Sequence, residues 1–165
     1  MLLFSYKGVG NVNKYTISSI GVVQNERKTP EDDYWGNVIS EIKLLNEWDT
    51  SSLDGIESFS HLEILFLFHL VSSDKIQYSA RYPRNNHEYP KVGIFAQRGK
   101  NRPNKIGLTV VELIKREGNT LIVRGLDAID GTPVIDIKPV MNEFLPKGEI
   151  KQPQWATSLM ANYWE

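Results

Sequence analysis

The chain has 165 residues, 24% of them charged and 41% hydrophobic, with a formal net charge of −1. This is the balance of one globular domain, not of a disordered or fibrous chain. There is no cysteine, which excludes disulfides, thiolate metal sites and a cysteine nucleophile and fits a cytosolic location.

Residues 1–13 do not read as a signal peptide, because their short apolar stretch runs at once into Lys7, Gly8 and Gly10. No segment reaches the roughly 18 apolar residues that a membrane helix needs. The only Gly-x-Gly, Gly8-Val9-Gly10, precedes a strand and does not join strand to helix, so it is no nucleotide fingerprint.

From there the elements run as follows. Residues 15–23 are rich in β-branched side chains and predict a strand, 25–36 a polar loop, and 38–45 a second strand. Residues 49–57 predict a short helical turn capped by Asp49, Thr50 or Ser51. Residues 59–71 are apolar and aromatic and predict a buried strand, although periodicity alone does not exclude a buried helix. Residues 72–90 form a long polar connection of the kind that often carries function. Residues 92–97 predict a strand and 99–104 a tight basic loop. Residues 106–116 and 120–126 predict a hairpin across Glu117-Gly118-Asn119. Asp130-Gly131-Thr132-Pro133 marks a turn, 134–138 a last strand, and 154–164 a C-terminal helix. About six strands at hairpin spacing, with only short helices, predict an all-β antiparallel barrel or sandwich. A doubly wound fold lacks its helices here.

Chemistry concentrates in three places. Between residues 81 and 105 lie Arg81, Arg84, Lys91, Arg98, Lys100, Arg102 and Lys105 against the single acid Glu88, a local charge of +6. Such a patch recruits phosphate or simply faces water. Within it, the sequence GIFAQRGKNRPNKIG places Arg98 and Arg102 on a loop that Pro103 stiffens. Two forked cations on a stiff loop suit phosphate or carboxylate recognition, or equally the covering of apolar surface. The segment DAIDGTPVIDIKP groups Asp127, Asp130 and Asp136, a set able to bind a cation, cap turns or face a sulfonium. His61, at the head of the apolar segment, is a candidate general base by residue type. His69 and His87 are weaker candidates, and the three histidines do not form a zinc motif.

GIFAQRGKNRPNKIGLTVVEL followed by GLDAIDGTPVIDIKP, with LDGIESFSHLEILFLFH upstream and ISSIGVV before it, resembles the tRNA methyltransferase O family of TsaA-like proteins. The likeness covers residues 17–140 within what reads as one domain of 1–165. It implies a single-sheeted antiparallel β-barrel of about six strands, a homodimer, and a pocket for S-adenosyl-L-methionine near the subunit interface. It also implies methylation of the exocyclic nitrogen of threonylcarbamoyladenosine, next to the anticodon of tRNA.

Matched residue by residue, the family motifs assign His61, Leu62, Arg98, Leu108, Asp127, Ala128, Ile129 and Asp130 to the cofactor. His61 is the candidate base, and no metal is implied. Arg81, Arg84, Lys100, Arg102, Asn104 and Lys105 fall to the tRNA side, where Tyr78, Tyr82 and Tyr89 interleave the cations and suit base stacking. The loop at 24–33 departs from the family's proline- and arginine-containing segment. The family's Ile-Lys-Pro-Tyr reads Ile137-Lys138-Pro139-Val140 here, and the long C-terminal extension of some bacterial members is missing. Two other readings stay open: a methyltransferase of the same fold acting on a different small acceptor, and a non-catalytic module that binds S-adenosylmethionine or RNA.

Overall fold

The computed structural model describes residues 14–165, so the readings made of residues 1–13 lie outside the described residues. The strands are β1 (Gly21–Gln24), β2 (Ile39–Leu44), β3 (His61–Leu67), β4 (Ala80–Arg81), β5 (Val92–Gly93), β6 (Ile106–Glu117), β7 (Thr120–Arg124) and β8 (Pro133–Pro139), followed by one short helix, α1 (Gln154–Leu159). Six of them close into an antiparallel barrel in the order β1-β2-β7-β6-β3-β8, with β8 returning to β1. The two-residue strands β4 and β5 pair only with each other, as a ribbon outside the barrel.

Side-chain alternation explains the closure. Ser40, Ile42 and Leu44 of β2, Leu62, Ile64 and Phe66 of β3, and Gly107, Thr109 and Val111 of β6 all face inward, while their neighbours are more exposed. A period of two puts one face of each strand in the core. Closing the sheet pools those faces with Val23, Leu121, Val123 and Val134 into a single core. Gly107 is glycine because the Phe66 ring occupies its side-chain space: a Cβ there would stand 2.5 Å from the ring carbons.

Several elements are shorter than the sequence predicts. Residues 15–20 are β-rich in composition but do not form a strand. The β1 ladder to β2 begins at Gly21 opposite Leu44, and its ladder to β8 covers only Gly21 and Val22. The strand expected over 59–71 stops at Leu67, where the Phe68 amide turns away to the Lys105 carbonyl. The strand expected over 92–97 is two residues long and runs into a 3₁₀ turn at Ile94–Ala96. The connection over 72–90 carries the 3₁₀ turns Ser73–Lys75 and Pro83–Asn85 with β4 between them. The C-terminal helix expected over 154–164 is a single segment of six residues. Among the described residues, no helix is long and apolar enough to cross a membrane.

Candidate functional site

One mouth of the barrel is closed by the segment after β7. Ser40 and Thr109 are polar yet 1% and 4% exposed, so their hydroxyls require partners. Thr109 Oγ1 donates to Asp127 Oδ1. Ser40 Oγ accepts from Asn25 Nδ2 at 2.9 Å, and the same amide donates to the Ala128 carbonyl at 2.9 Å. Asp127 and Ala128 are thereby fixed over the barrel end by side chains from β2, β6 and the loop after β1.

The loop over 25–36 wraps the same mouth. Asp130 Oδ1 accepts from the Asn25 amide at 3.1 Å and Asp130 Oδ2 pairs with Lys28 Nζ at 2.9 Å. These two donors hold the Asp130 carboxyl below the ordinary carboxylate range, Lys28 contributing most. Arg27 ties the loop to itself, donating to Glu31 Oε2 and to the Asp33 and Tyr34 carbonyls. Its guanidinium lies 4.5 Å from the centre of the buried Trp35 ring. A groove beside this loop is lined by Asn25, Arg27, Lys28, Tyr34, Ile39 and Asp130, among others.

Arg98 reaches the cluster from the basic loop, donating through Nη2 to the carbonyl of Leu108. The Leu108 side chain is 41% exposed on the outer barrel face. Leu108 adjoins Thr109, so Arg98, Leu108 and Asp127 are linked through two consecutive residues of β6. The chain end completes this group: the Tyr163 hydroxyl donates to Asp127 Oδ2. Burial first, and the Asp127 carboxylate second, push the Tyr163 phenol well above its ordinary value of 10.0, while Arg98 and Arg84 pull it back.

A phenol with a raised folded-state pKa stabilises the fold while the unfolded chain's tyrosine is also protonated. That stability is therefore present below about pH 10 and is lost as pH rises through the folded value. Ultraviolet titration of phenolate is expected to show the Tyr163 phenol staying protonated until the fold opens. A Tyr163→Phe protein with an unchanged phenolate titration at high pH would show that Tyr163 is not held in its buried contact with Asp127.

The structure distributes the other expected residues in three ways. Leu62, Ala128 and Ile129 are 0%, 3% and 8% exposed, so they offer a ligand mainly backbone atoms. His61 is exposed at the start of β3 with Nδ1 2.9 Å from Ser60 Oγ. It pairs with Glu112, whereas Leu108 pairs with Leu65, four residues along the strand. At about 3.3 Å per residue this places His61 roughly 13 Å from Leu108, so a single chain does not bring the candidate base to the Arg98 group. The three aspartates also do not assemble: Asp136 pairs with Lys138, Asp130 with Lys28, and Asp127 with two hydroxyls. No group of three or more potential metal ligands occurs among the described residues.

On the basic side, two expected tRNA contacts are engaged within the protein. Arg84 grips Asp33 with both nitrogens, at 2.9 and 2.6 Å, and donates to the Asp32 carbonyl. It joins loops that lie 51 residues apart. Lys105 donates to the Val71 carbonyl. Arg81 donates to Asn85 and Arg102 to the Gln97 carbonyl, each through one nitrogen, which leaves further donors. Lys91, Lys100 and Asn104 are exposed. Tyr78 and Phe95 are 80% and 79% exposed on the segments that flank the β4–β5 ribbon. Tyr82 stacks on His87 at 4.1 Å.

Asn25, Thr109 and Tyr163 are not among the residues that the sequence motifs assign to the site, although the aromatic C-terminus with Trp155, Tyr163 and Trp164 reads as packing on its own barrel or on a partner. Thr109 also left a signal in the sequence, as the one inward-facing polar residue in the alternation of β6.

The model of the tRNA-methyltransferase O N-terminal domain matches residues 21–144. A protein of Methanothermobacter thermautotrophicus named as a probable S-adenosyl-L-methionine-binding protein is 40% identical over 127 residues, covering 74% of this chain and 88% of its own. The mouse tRNA (adenine(37)-N6)-methyltransferase is 44% identical over 93 residues, covering 56% of this chain and 21% of the mouse protein. A crystal structure of TrmO from Pseudomonas aeruginosa superposes with a TM-score of 0.71 at 26% identity, over 88% of this chain and 63% of that one. The chain thus spans most of the archaeal protein, about a fifth of the mouse enzyme and under two thirds of the bacterial one.

Proposed function

The chain belongs to the tRNA-methyltransferase O family, and from that premise we propose that it binds S-adenosylmethionine and transfers its methyl group to the exocyclic nitrogen of threonylcarbamoyladenosine beside a tRNA anticodon. The observation that carries this reading is the convergence of Arg98, Leu108 and Asp127 at one barrel mouth.

Those residues fit the cofactor chemically. Arg98 spends one nitrogen on the Leu108 carbonyl, and its remaining donors suit the carboxylate of the amino-acid moiety. Asp127 accepts one hydrogen bond on each oxygen, and the unused lone pairs suit an ammonium or ribose hydroxyls. The exposed Leu108 side chain offers an apolar contact. When bound, S-adenosylmethionine supplies a methyl group on a positively charged sulfur, with a neutral thioether as leaving group. The protein's work is then to align donor with acceptor and to keep water out. His61 lies too far from Leu108 within one chain to act there, so its role as the base that takes the proton from the acceptor nitrogen is assigned to the His61 of a second copy; Ser60 engages its Nδ1 and leaves Nε2 to accept. A homodimer built on the outer face of β6 is part of this reading. Leu108, Val110 and Ile114 line that face at 41%, 52% and 40% exposure, apolar area that a second copy would cover.

For tRNA, the supporting features are the exposed Lys91 and Lys100, the remaining donors of Arg81 and Arg102, and the exposed rings of Tyr78 and Phe95. Incubation with radiolabelled S-adenosylmethionine and tRNA, with and without the threonylcarbamoyl group, is expected to label only the modified tRNA. Binding should weaken steeply with salt. Unlabelled tRNA in both arms, with calorimetric binding of the cofactor intact, would move the activity to a different acceptor or to a binding module. Failure to bind the cofactor would remove the assignment of Arg98 and Asp127.

A further inference from the structure

The family model ends at residue 144, yet the chain beyond it returns to the mouth of the barrel. After α1, the Tyr34 amide donates to the Asn162 carbonyl at 3.1 Å and the Trp35 amide to the Tyr163 carbonyl at 2.8 Å. The Trp164 carbonyl packs on Gly36 so closely that a Cβ there would lie 1.9 Å away. Two main-chain bonds and the partly buried Tyr163 side chain therefore seat this strap on the loop over 25–36 and the mouth beside it. Its docking delivers one polar side chain, the Tyr163 phenol, to Asp127 Oδ2.

We infer that Tyr163 is a positioning residue for the cofactor site: it fixes the Asp127 carboxylate against Thr109 so that the unused lone pairs meet the ligand in one orientation. This rests on the reading of Asp127 as a cofactor contact. A carboxylate held from one oxygen alone rotates about its terminal bond, whose torsional preference is broad. With Thr109 on Oδ1 and Tyr163 on Oδ2, both oxygens are pinned. The strap does not fill the site by saturating Asp127, because an ionised carboxylate accepts about four hydrogen bonds and only two are taken. Arg98 and Arg84 stand close enough to act electrostatically on the same phenol. Tyr163 thus sits between Arg98, which the family motifs assign to the cofactor, and Arg84, which the basic stretch offers to tRNA.

The test compares S-adenosylmethionine binding by the whole chain, by calorimetry, in wild type, Tyr163→Phe, Asp127→Asn and the double variant. Tyr163→Phe is expected to weaken binding about tenfold, the scale of one hydrogen bond to a charged group. In the Asp127→Asn background the same change should cost clearly less than in wild type, because Tyr163 acts on the ligand only through the carboxylate already replaced. Unchanged or tighter binding by Tyr163→Phe, or additive losses in the double variant, would overturn the inference. Tighter binding would make the strap a plug.

Hydrogen exchange in the ligand-free protein separates this inference from the reading it rests on. If the phenol anchors the strap, Tyr163→Phe lowers protection of the Tyr34 and Trp35 amides. Unchanged protection sinks the positioning role even where wild type binds cofactor. Absence of cofactor binding by wild type, with protection lowered in Tyr163→Phe, sinks the cofactor reading of Asp127 and leaves the anchor standing.

Discussion

Asp127→Ala is expected to lower kcat/KM for methyl transfer at least about a hundredfold and to remove roughly 2–4 kcal/mol of folding stability. The stability loss follows from two hydroxyls with nowhere else to donate. Thr109 is 4% exposed inside the barrel, and its hydroxyl and the Tyr163 phenol both end on this one carboxylate. An unmade bond at a buried group costs about 1–3 kcal/mol. The loss of activity has a second origin, the missing charge and acceptors at the ligand. Asp127→Asn separates the two, because the amide keeps one acceptor oxygen while removing the charge. It should retain more of the stability than alanine does and little more of the activity. Denaturant titration beside steady-state kinetics reads both. Less than a tenfold fall in kcat/KM for Asp127→Ala in a folded protein would take Asp127 out of the cofactor site.

How far the sequence announced this arrangement depends on the distance over which each part is specified. The hairpin of β6 and β7 was legible because its turn, Glu117-Gly118-Asn119, and its alternation are local; the strands meet there at Glu117 opposite Thr120. Strand count and spacing narrowed the fold to an antiparallel barrel or sandwich, the family resemblance implied the barrel that is found, and its motifs named Arg98, Leu108 and Asp127, which do come together. Residues 15–20 show the limit of composition. They carry the side chains of a strand, but strands are made by partners, and neither β2 nor β8 forms a strand ladder with them beyond Gly21. The basic stretch shows the same limit in its electrostatics. A count of charges does not reveal that Arg84 is gripped by Asp33, 51 residues away, or that Lys105 is turned onto the Val71 carbonyl. Asn25 and Tyr163 contact Ala128 and Asp127 across 103 and 36 residues. No local pattern encodes either contact, since each exists only once the barrel has closed and brought its mouth to them.

Gly36 tests that last dependence from the opposite side. A methyl group at this position would lie 1.9 Å from the Trp164 carbonyl oxygen, 2.7 Å from its carbon and 3.2 Å from its Cα. All three are main-chain atoms, so no rotamer change relieves the clash. Gly36→Ala is therefore expected to eject the strap. Two backbone hydrogen bonds, from Tyr34 and Trp35, go with it, as does the phenol's bond to Asp127, together worth roughly 2–4 kcal/mol. The barrel itself should remain folded, because its core of Ile42, Leu62, Ile64, Phe66 and Val123 contains no residue of the strap. The expected result is a protein with strand content intact, a chain end open to proteolysis near α1, and a Tyr163 phenol relieved of its upward shift. Its cofactor affinity should fall to the level of Tyr163→Phe, because ejecting the strap and deleting the hydroxyl remove the same bond to Asp127. A Gly36→Ala protein whose chain end stays protected would mean that the loop over 25–36 yields instead of the strap. In that case Asp130, tied to the loop through Asn25 and Lys28, would be the residue displaced, and the cofactor site would be damaged from the loop side with Tyr163 still in place.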